Sequence, residues 1–341
     1  MSQRQLRGHQ RERYEVERSP LAQKPTQKQF AALLKVKKGQ LHGLIAHKED
    51  YVVRRAQPSG GKVRQLAYPK GKLRAVHEIL KYHLGKVSQP EYIFSPRKGY
   101  STRDYAEFHA GQIQYLTLDL KQFYPSTSRE HVYRWLRHKL GMLDDVAGLC
   151  CRLVTIDDRV SFGSPLTPVL TTLVHRDMFD AMAEECRRRG LRFSIWVDDI
   201  TISGAFVPGR LVAALREIVR SNGLRSHKIQ FRVGARPVVL TGVPLRVGRV
   251  DAPRSVHDRI HAGYANLPQP DDPAYRRHAD RLLSALGSYR FYVGSKTRAG
   301  RRAADRMNAL RQRRNKVPVR AVTLAEEPPM VSNAPDHESP F

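Results

Sequence analysis

Three cysteines in 341 residues, Cys150, Cys151 and Cys186, are too few and too unevenly spaced for a disulfide framework or a zinc ribbon. They read as buried thiols of a protein in a reducing cytoplasm. No apolar run approaches the ~20 residues that a bilayer-spanning helix needs, so no membrane is expected. The start, MSQRQLRGHQRERYEVERSP, has no apolar stretch behind its basic residues, and no secretory signal is expected. No internal repeat stands out. Acids are the other shortage: 32 Asp and Glu face 60 Lys and Arg, a formal charge of +28. A field of that size gathers polyanions, which points to a nucleic-acid partner without saying which one or whether chemistry is done on it.

What is present divides into four stretches: a basic extension over 1–45, a mixed region over 46–248, a basic helical region over 249–316 and an acidic, proline-rich tail over 317–341 expected to be disordered. Within the first, Thr26 is an expected N-cap, with Phe30, Leu33 and Leu34 on one helix face. Residues 51–68 read as a hairpin, YVVRRA and KVRQLAY joined at Pro58-Ser59-Gly60-Gly61. Lys62 and Arg64 alternate along its second strand and so share a face, suited to triphosphate oxygens. From 115 to 245, strands and helices alternate as β-α-β-β-α-β, and PLTPVLTTLVHRDMFDAMAEECRRRG reads as one long helix. That order predicts an α+β fold with a ferredoxin-like sheet and helices on one face.

Four Asp-Asp pairs occur, at 144–145, 157–158, 198–199 and 271–272, so a bare pair carries little. Asp157-Asp158 reads as a hairpin turn and Asp271-Asp272 as a helix start. Asp198-Asp199 stands between two β-prone segments, FSIWV and ITISG, and Asp119 sits near the end of another, YLTLDL. In the predicted topology the first strand and the central hairpin are neighbours, which would bring Asp119 and the pair together. Two Mg²⁺ ions about 4 Å apart, held on hard carboxylate oxygens, are what attack of a ribose hydroxyl on an α-phosphate requires.

These segments resemble the retron-type reverse transcriptases of bacteria, in order and spacing from roughly residue 30 to 315. TLDLKQFYPS (117–126) is similar to the family's first palm motif, and IWVDDITISG (195–204) to its aromatic-x-Asp-Asp motif. FGSPLTPVLTTLVHR (162–176) resembles the helix motif beneath the template base pair, and GGKVRQLAYP (60–69) the hairpin that clamps triphosphate. SHKIQF (226–231) and LTGVPL (240–245) resemble the lysine segment and the primer-grip strand. YAEFH (105–109) and LTG (240–242) are similar to two motifs of the retron branch. Phe162 replaces the usual glutamine, Tyr105 an asparagine and Trp196 a tyrosine.

The resemblance implies a right-hand polymerase with fingers, a ferredoxin-like palm and a helical thumb, the first two within 46–248 and the thumb over 249–316. It implies Asp119, Asp198 and Asp199 as ligands of two Mg²⁺ ions and Lys228 as the proton donor to pyrophosphate. Lys62, Arg64, Tyr124, Phe162 and Gly163 would contact the nucleotide or template, Tyr124 excluding a 2′-hydroxyl, and His109 would bind RNA. The implied partners are a structured non-coding RNA, its RNA–DNA duplex, deoxynucleoside triphosphates and an effector protein, in antiphage defence. Protein-primed or untemplated DNA synthesis, a non-catalytic RNA-binding scaffold and a two-metal nuclease are the alternatives.

Overall fold

The computed structural model describes residues 13–59, 62–233, 237–246 and 248–317, without the side chains of Ser59, Lys62 and Arg64. The tail expected from 317 onward lies outside the described residues except for Val317, as does the N-terminal extension before Arg13. Strands are β1 (Val52–Ser59), β2 (Lys62–Pro69), β3 (Ile93–Ser95), β4 (Gln114–Leu120), β5 (Arg192–Trp196), β6 (Asp199–Gly204), β7 (Ser226–Val233), β8 (Val238–Leu240), β9 (Val243–Arg246) and β10 (Arg249–Val250). Helices are α1 (Gln27–Leu33), α2 (Lys38–Ala46), α3 (Gly71–Leu84), α4 (Thr102–Phe108), α5 (Phe123–Ser126), α6 (Arg129–Arg134) and α7 (Asp144–Val154). They continue with α8 (Thr167–Val174), α9 (Arg176–Arg187), α10 (Arg210–Ser221), α11 (Arg254–Ala265), α12 (Tyr275–Val293) and α13 (Arg298–Lys316).

The chain forms two units. The first takes the residues up to Tyr100 and Leu116–Phe231; the second takes Ser101–Tyr115 and the described chain from Arg232.

In the first unit Thr26 caps α1 in a capping box with Gln29, satisfying backbone donors that the helix start leaves open. Helices α1, α2, α3, α7 and α8 bury Phe30, Leu41, Leu73, Leu80, Leu153 and Leu170 in one core. A second core lies under a five-stranded sheet ordered β3-β5-β6-β4-β7 and gathers Leu116, Leu118, Phe179, Ile195, Ile200, Ile202 and Leu215. Each such side chain contributes about 1.5–3 kcal/mol on burial. Leaving out β3, the order β5-β6-β4-β7 is that of a ferredoxin-like sheet, so the β5–β6 hairpin lies beside β4. Strands β1 and β2 form a separate two-stranded sheet.

Two helices depart from regular α geometry, and the first of them also departs from the sequence expectation. The long helix breaks at His175 into α8 and α9, with φ −100° and ψ 17° at the break. Thr171 and Thr172 hydroxyls return to the carbonyls of Thr167 and Pro168, which bends a helix, and the buried His175 ring bonds Thr127 Oγ1 at 2.9 Å. After α6, residues 135–139 widen into a π turn in which Leu140 donates to the Trp135 carbonyl.

In the second unit α4 packs on the antiparallel β8–β9–β10 sheet. Helices α11 to α13 share a core of Tyr275, Ala279, Leu282, Leu283, Leu286 and Leu310. Arg301, Arg302, Arg306, Arg311, Arg313 and Lys316 are exposed along α13. Among the described residues no helix is long and apolar enough to cross a membrane, and the three cysteines are free and buried.

Candidate active site

Strand β4 alternates, sending Leu118 and Leu120 into the core and leaving Asp119 half-buried on the other face. Its end is tied to two neighbours. Leu120 N donates to the Asp198 carbonyl at 3.1 Å, and Lys121 N donates to the Arg225 carbonyl at 2.7 Å. The hairpin between β5 and β6 closes with Trp196 opposite Asp199, so Val197 and Asp198 alone form the turn and Asp199 begins β6. Val197 takes the left-handed conformation this tight turn demands, φ 59°. The expectation that both aspartates form the turn is corrected by one residue.

The three carboxylates sense one another. Partial desolvation, then the charges of Asp198 and Asp119, push Asp199 up to about 7, and Lys228 pulls the other way. Asp199 itself keeps access to solvent. Lys228 Nζ donates to Asp119 Oδ2 at 2.8 Å, and this bond, before the charge itself, raises the lysine. His227 Nδ1 lies 3.4 Å from Asp119 Oδ1. Among the described residues no three acidic, histidine or cysteine side chains already stand together as a metal-binding group. In donor chemistry the set still suits a hard divalent cation: oxygen ligands only, mutually repelling, with one already neutralised by a lysine.

Tyr124, on α5, lies edge-on to Phe162 with ring centroids 5.3 Å apart. Burial and the nearby Asp198 charge push its hydroxyl pKa up, so it stays neutral. Gly163 follows with φ 88°, and a Cβ there would stand 3.0 Å from Tyr68 Cβ on β2. Ser164 Oγ is 2.7 Å from Nδ1 of the fully buried His77, whose Nε2 is 2.9 Å from the Leu153 carbonyl. Burial holds His77 down to about 4, and the neutral ring donates from Nε2 and accepts at Nδ1.

The first unit thus gathers Asp119, Asp198, Asp199 and Lys228, with Tyr124 touching Phe162 beside Gly163. Lys62 and Arg64 lie on β2 opposite Ser59 and Gln57, and their side chains lie outside the described residues. His109 belongs to the second unit, where its ring is buried against Tyr105 and Phe108. The Thr241-Gly242 pair, at φ 45° and 80°, turns β8 into β9 in that same unit, on the sheet that α4 covers. The two segments that resemble retron motifs therefore share one unit. Sequence reasoning missed Tyr68, His77 and His227. Only His227, adjoining Lys228 on a strand, carried a local signal.

No protein-family model matches the chain. Three curated proteins resemble it. The retron Mx65 reverse transcriptase of Myxococcus xanthus is 29% identical over 293 residues, covering 76% of this chain and 67% of that protein. The retron Se72 reverse transcriptase of Salmonella heidelberg is 29% identical over 146 residues, 42% of this chain and 38% of that protein. The retron Ec86 reverse transcriptase of Escherichia coli is 25% identical over 217 residues, 62% of this chain and 67% of that protein.

Proposed function

We propose, from the premise that this chain belongs with the retron-type reverse transcriptases and is an RNA-directed DNA polymerase, that it copies a cognate structured non-coding RNA into DNA. The observation that carries the reading is the tie between β4 and the β5–β6 hairpin: Leu120 N donates to the Asp198 carbonyl at 3.1 Å, which brings Asp119 next to the hairpin that carries Asp198 and Asp199.

Asp119, Asp198 and Asp199 would hold two magnesium ions. When bound, these ions supply an activated ribose hydroxyl and a stabilised leaving pyrophosphate. Lys228 carries a proton on Nζ beside Asp119 and gives it to the departing pyrophosphate. Tyr124 and Phe162 form an aromatic wall that excludes a 2′-hydroxyl from the incoming deoxynucleoside triphosphate. Lys62 and Arg64 hold the triphosphate oxygens. The exposed arginines of α13 follow the phosphates of the RNA–DNA duplex, and His109 supports that RNA binding from inside its own unit by holding α4. A role in antiphage defence with an effector protein follows from the family resemblance alone.

The test is to purify the protein expressed with its native flanking DNA and sequence the nucleic acid that accompanies it, beside an Asp198→Ala, Asp199→Ala preparation. A discrete DNA joined to RNA, present only with the carboxylates intact, is the expected result. DNA that is repetitive or protein-linked would retain the polymerase and remove the cognate-RNA template. RNA alone, equal in both preparations, would overturn the synthesis.

A further inference from the structure

The segment from Asp157 to Gly163 touches both strands of the β1–β2 hairpin. Asp157 and Asp158 form a two-residue turn between Ile156 and Arg159, whose backbones exchange hydrogen bonds of 2.9 and 3.1 Å. Both aspartates are left-handed, φ 52° and 59°, a conformation that Asp tolerates better than most residues and that its surroundings must fix. Each then grips an arginine on a different element. Arg54 of β1 donates to Asp157 through two nitrogens, at 2.7 and 3.0 Å, a bidentate fork. Arg129 of α6 pairs with Asp158 at 2.9 Å.

At the segment's other end, Gly163 lies so close to Tyr68 of β2 that no side chain would fit without a shift. Between these contacts the segment is fastened to the body of the unit. Val160 N donates to the Thr127 carbonyl at 2.9 Å, and Thr167 Oγ1 donates to the Ser161 carbonyl at 2.7 Å. Among the described residues the hairpin pairs with no third strand. An isolated two-stranded sheet is marginal in water, so contacts of this kind set where it sits.

We propose that Asp157 is a positioning residue for nucleotide binding: through Arg54, and together with the Tyr68–Gly163 contact, it holds the β1–β2 hairpin against the loop that carries Phe162. The nucleotide role rests on the polymerase reading above, in which Lys62 and Arg64 of that hairpin meet the triphosphate. Asp157 touches no substrate and acts only through Arg54.

The full-length protein is compared with Asp157→Asn, with Glu49→Gln and with the charge exchange Arg54→Asp, Asp157→Arg. Glu49 also bonds Arg54, at 3.0 Å, and among the described residues its carboxylate makes no hydrogen bond or ion pair to the loop, so it controls for mere loss of a partner. Two readouts are taken: hydrogen exchange of the backbone amides from Val52 to Tyr68, and the deoxynucleotide dependence of primer extension. In Asp157→Asn these amides should exchange about fivefold faster and KM should rise about three- to fivefold, the size of one exposed bidentate pair, with kcat within about twofold. The charge exchange should restore both, and Glu49→Gln should change neither. Unaltered exchange in Asp157→Asn, equal effects of Glu49→Gln, failure of the charge exchange, or a fall in kcat with KM unmoved would each overturn the proposal. Faster exchange in a protein whose wild type makes no DNA would overturn the polymerase reading instead, and reduce Asp157 to a structural brace.

Discussion

The ammonium of Lys228 stands 2.8 Å from Oδ2 of Asp119, so one of the three aspartates is already neutralised by the chain's own cation. In the proposed two-metal reading, a magnesium ion would compete with the lysine for that oxygen. Lys228 is exposed, and the pair is a modest one, worth at most about 1 kcal/mol. In Lys228→Gln the magnesium concentration that half-saturates DNA synthesis should fall by a few-fold, while the maximal rate should fall roughly 10²-fold because a proton donor is lost. Rates measured across a magnesium titration separate the two effects. Full rate in the variant would remove Lys228 from the chemistry.

Tyr124 is half-buried and neutral, with its ring braced on Phe162 at 5.3 Å. In the proposed reading this ring walls off the 2′-hydroxyl of the incoming nucleotide, and truncation to alanine removes the wall. Tyr124→Ala should lower the preference for deoxy- over ribonucleotides by roughly tenfold or more, read as a ratio of kcat/KM values. An unchanged ratio would mean that the discriminating wall lies elsewhere.

An alternating apolar run marks a strand and the face on which its polar residues stand. Asp119 and the Asp198-Asp199 hairpin were legible for that reason, and the sheet order that joins them followed from the alternation of strands and helices. The turn register was not, since only the φ of Val197 decides which residue leads β6. The break at His175 was hidden as well: the periodicity runs straight through it, and the cause is a buried bond to Thr127, 48 residues away. Tyr68 against Gly163 and His77 against Ser164 are long-range contacts with no local signature.

Gly163 combines a positive φ with a close neighbour, so two separate costs fall on any side chain placed there. The left-handed backbone costs an L-residue about 1–2 kcal/mol, and the 3.0 Å approach to Tyr68 adds about 1–3 kcal/mol of overpacking. Gly163→Ala should lower the thermal midpoint accordingly. Adding Tyr68→Gly should recover the packing part but not the backbone part. Thermal denaturation of the two singles and the double gives the coupling, and a coupling near zero would contradict the contact.

Acid should weaken the fold through His77. Its ring is fully buried and neutral; Nε2 donates to the Leu153 carbonyl, and Nδ1 accepts from the Ser164 hydroxyl, which itself accepts from Leu166 N at 3.2 Å. Desolvation lowers its pKa from 6.5 to about 4, outweighing the bond to Leu153 that favours the charged form. The unfolded chain therefore binds this proton at a higher pH than the folded one does. Stability is unaffected above about 6.5, falls as pH drops through the window from 6.5 to about 4, and levels off below it. The full effect is on the order of 3 kcal/mol for one buried imidazole. His175, also buried and held down to about 3 by desolvation, acts in the same direction. Urea midpoints at pH 7.5 and 5.0 should differ in the parent protein. His77→Gln should start lower at pH 7.5 but lose less between the two. An equal loss in both would show that His77 is not the group that takes up the proton.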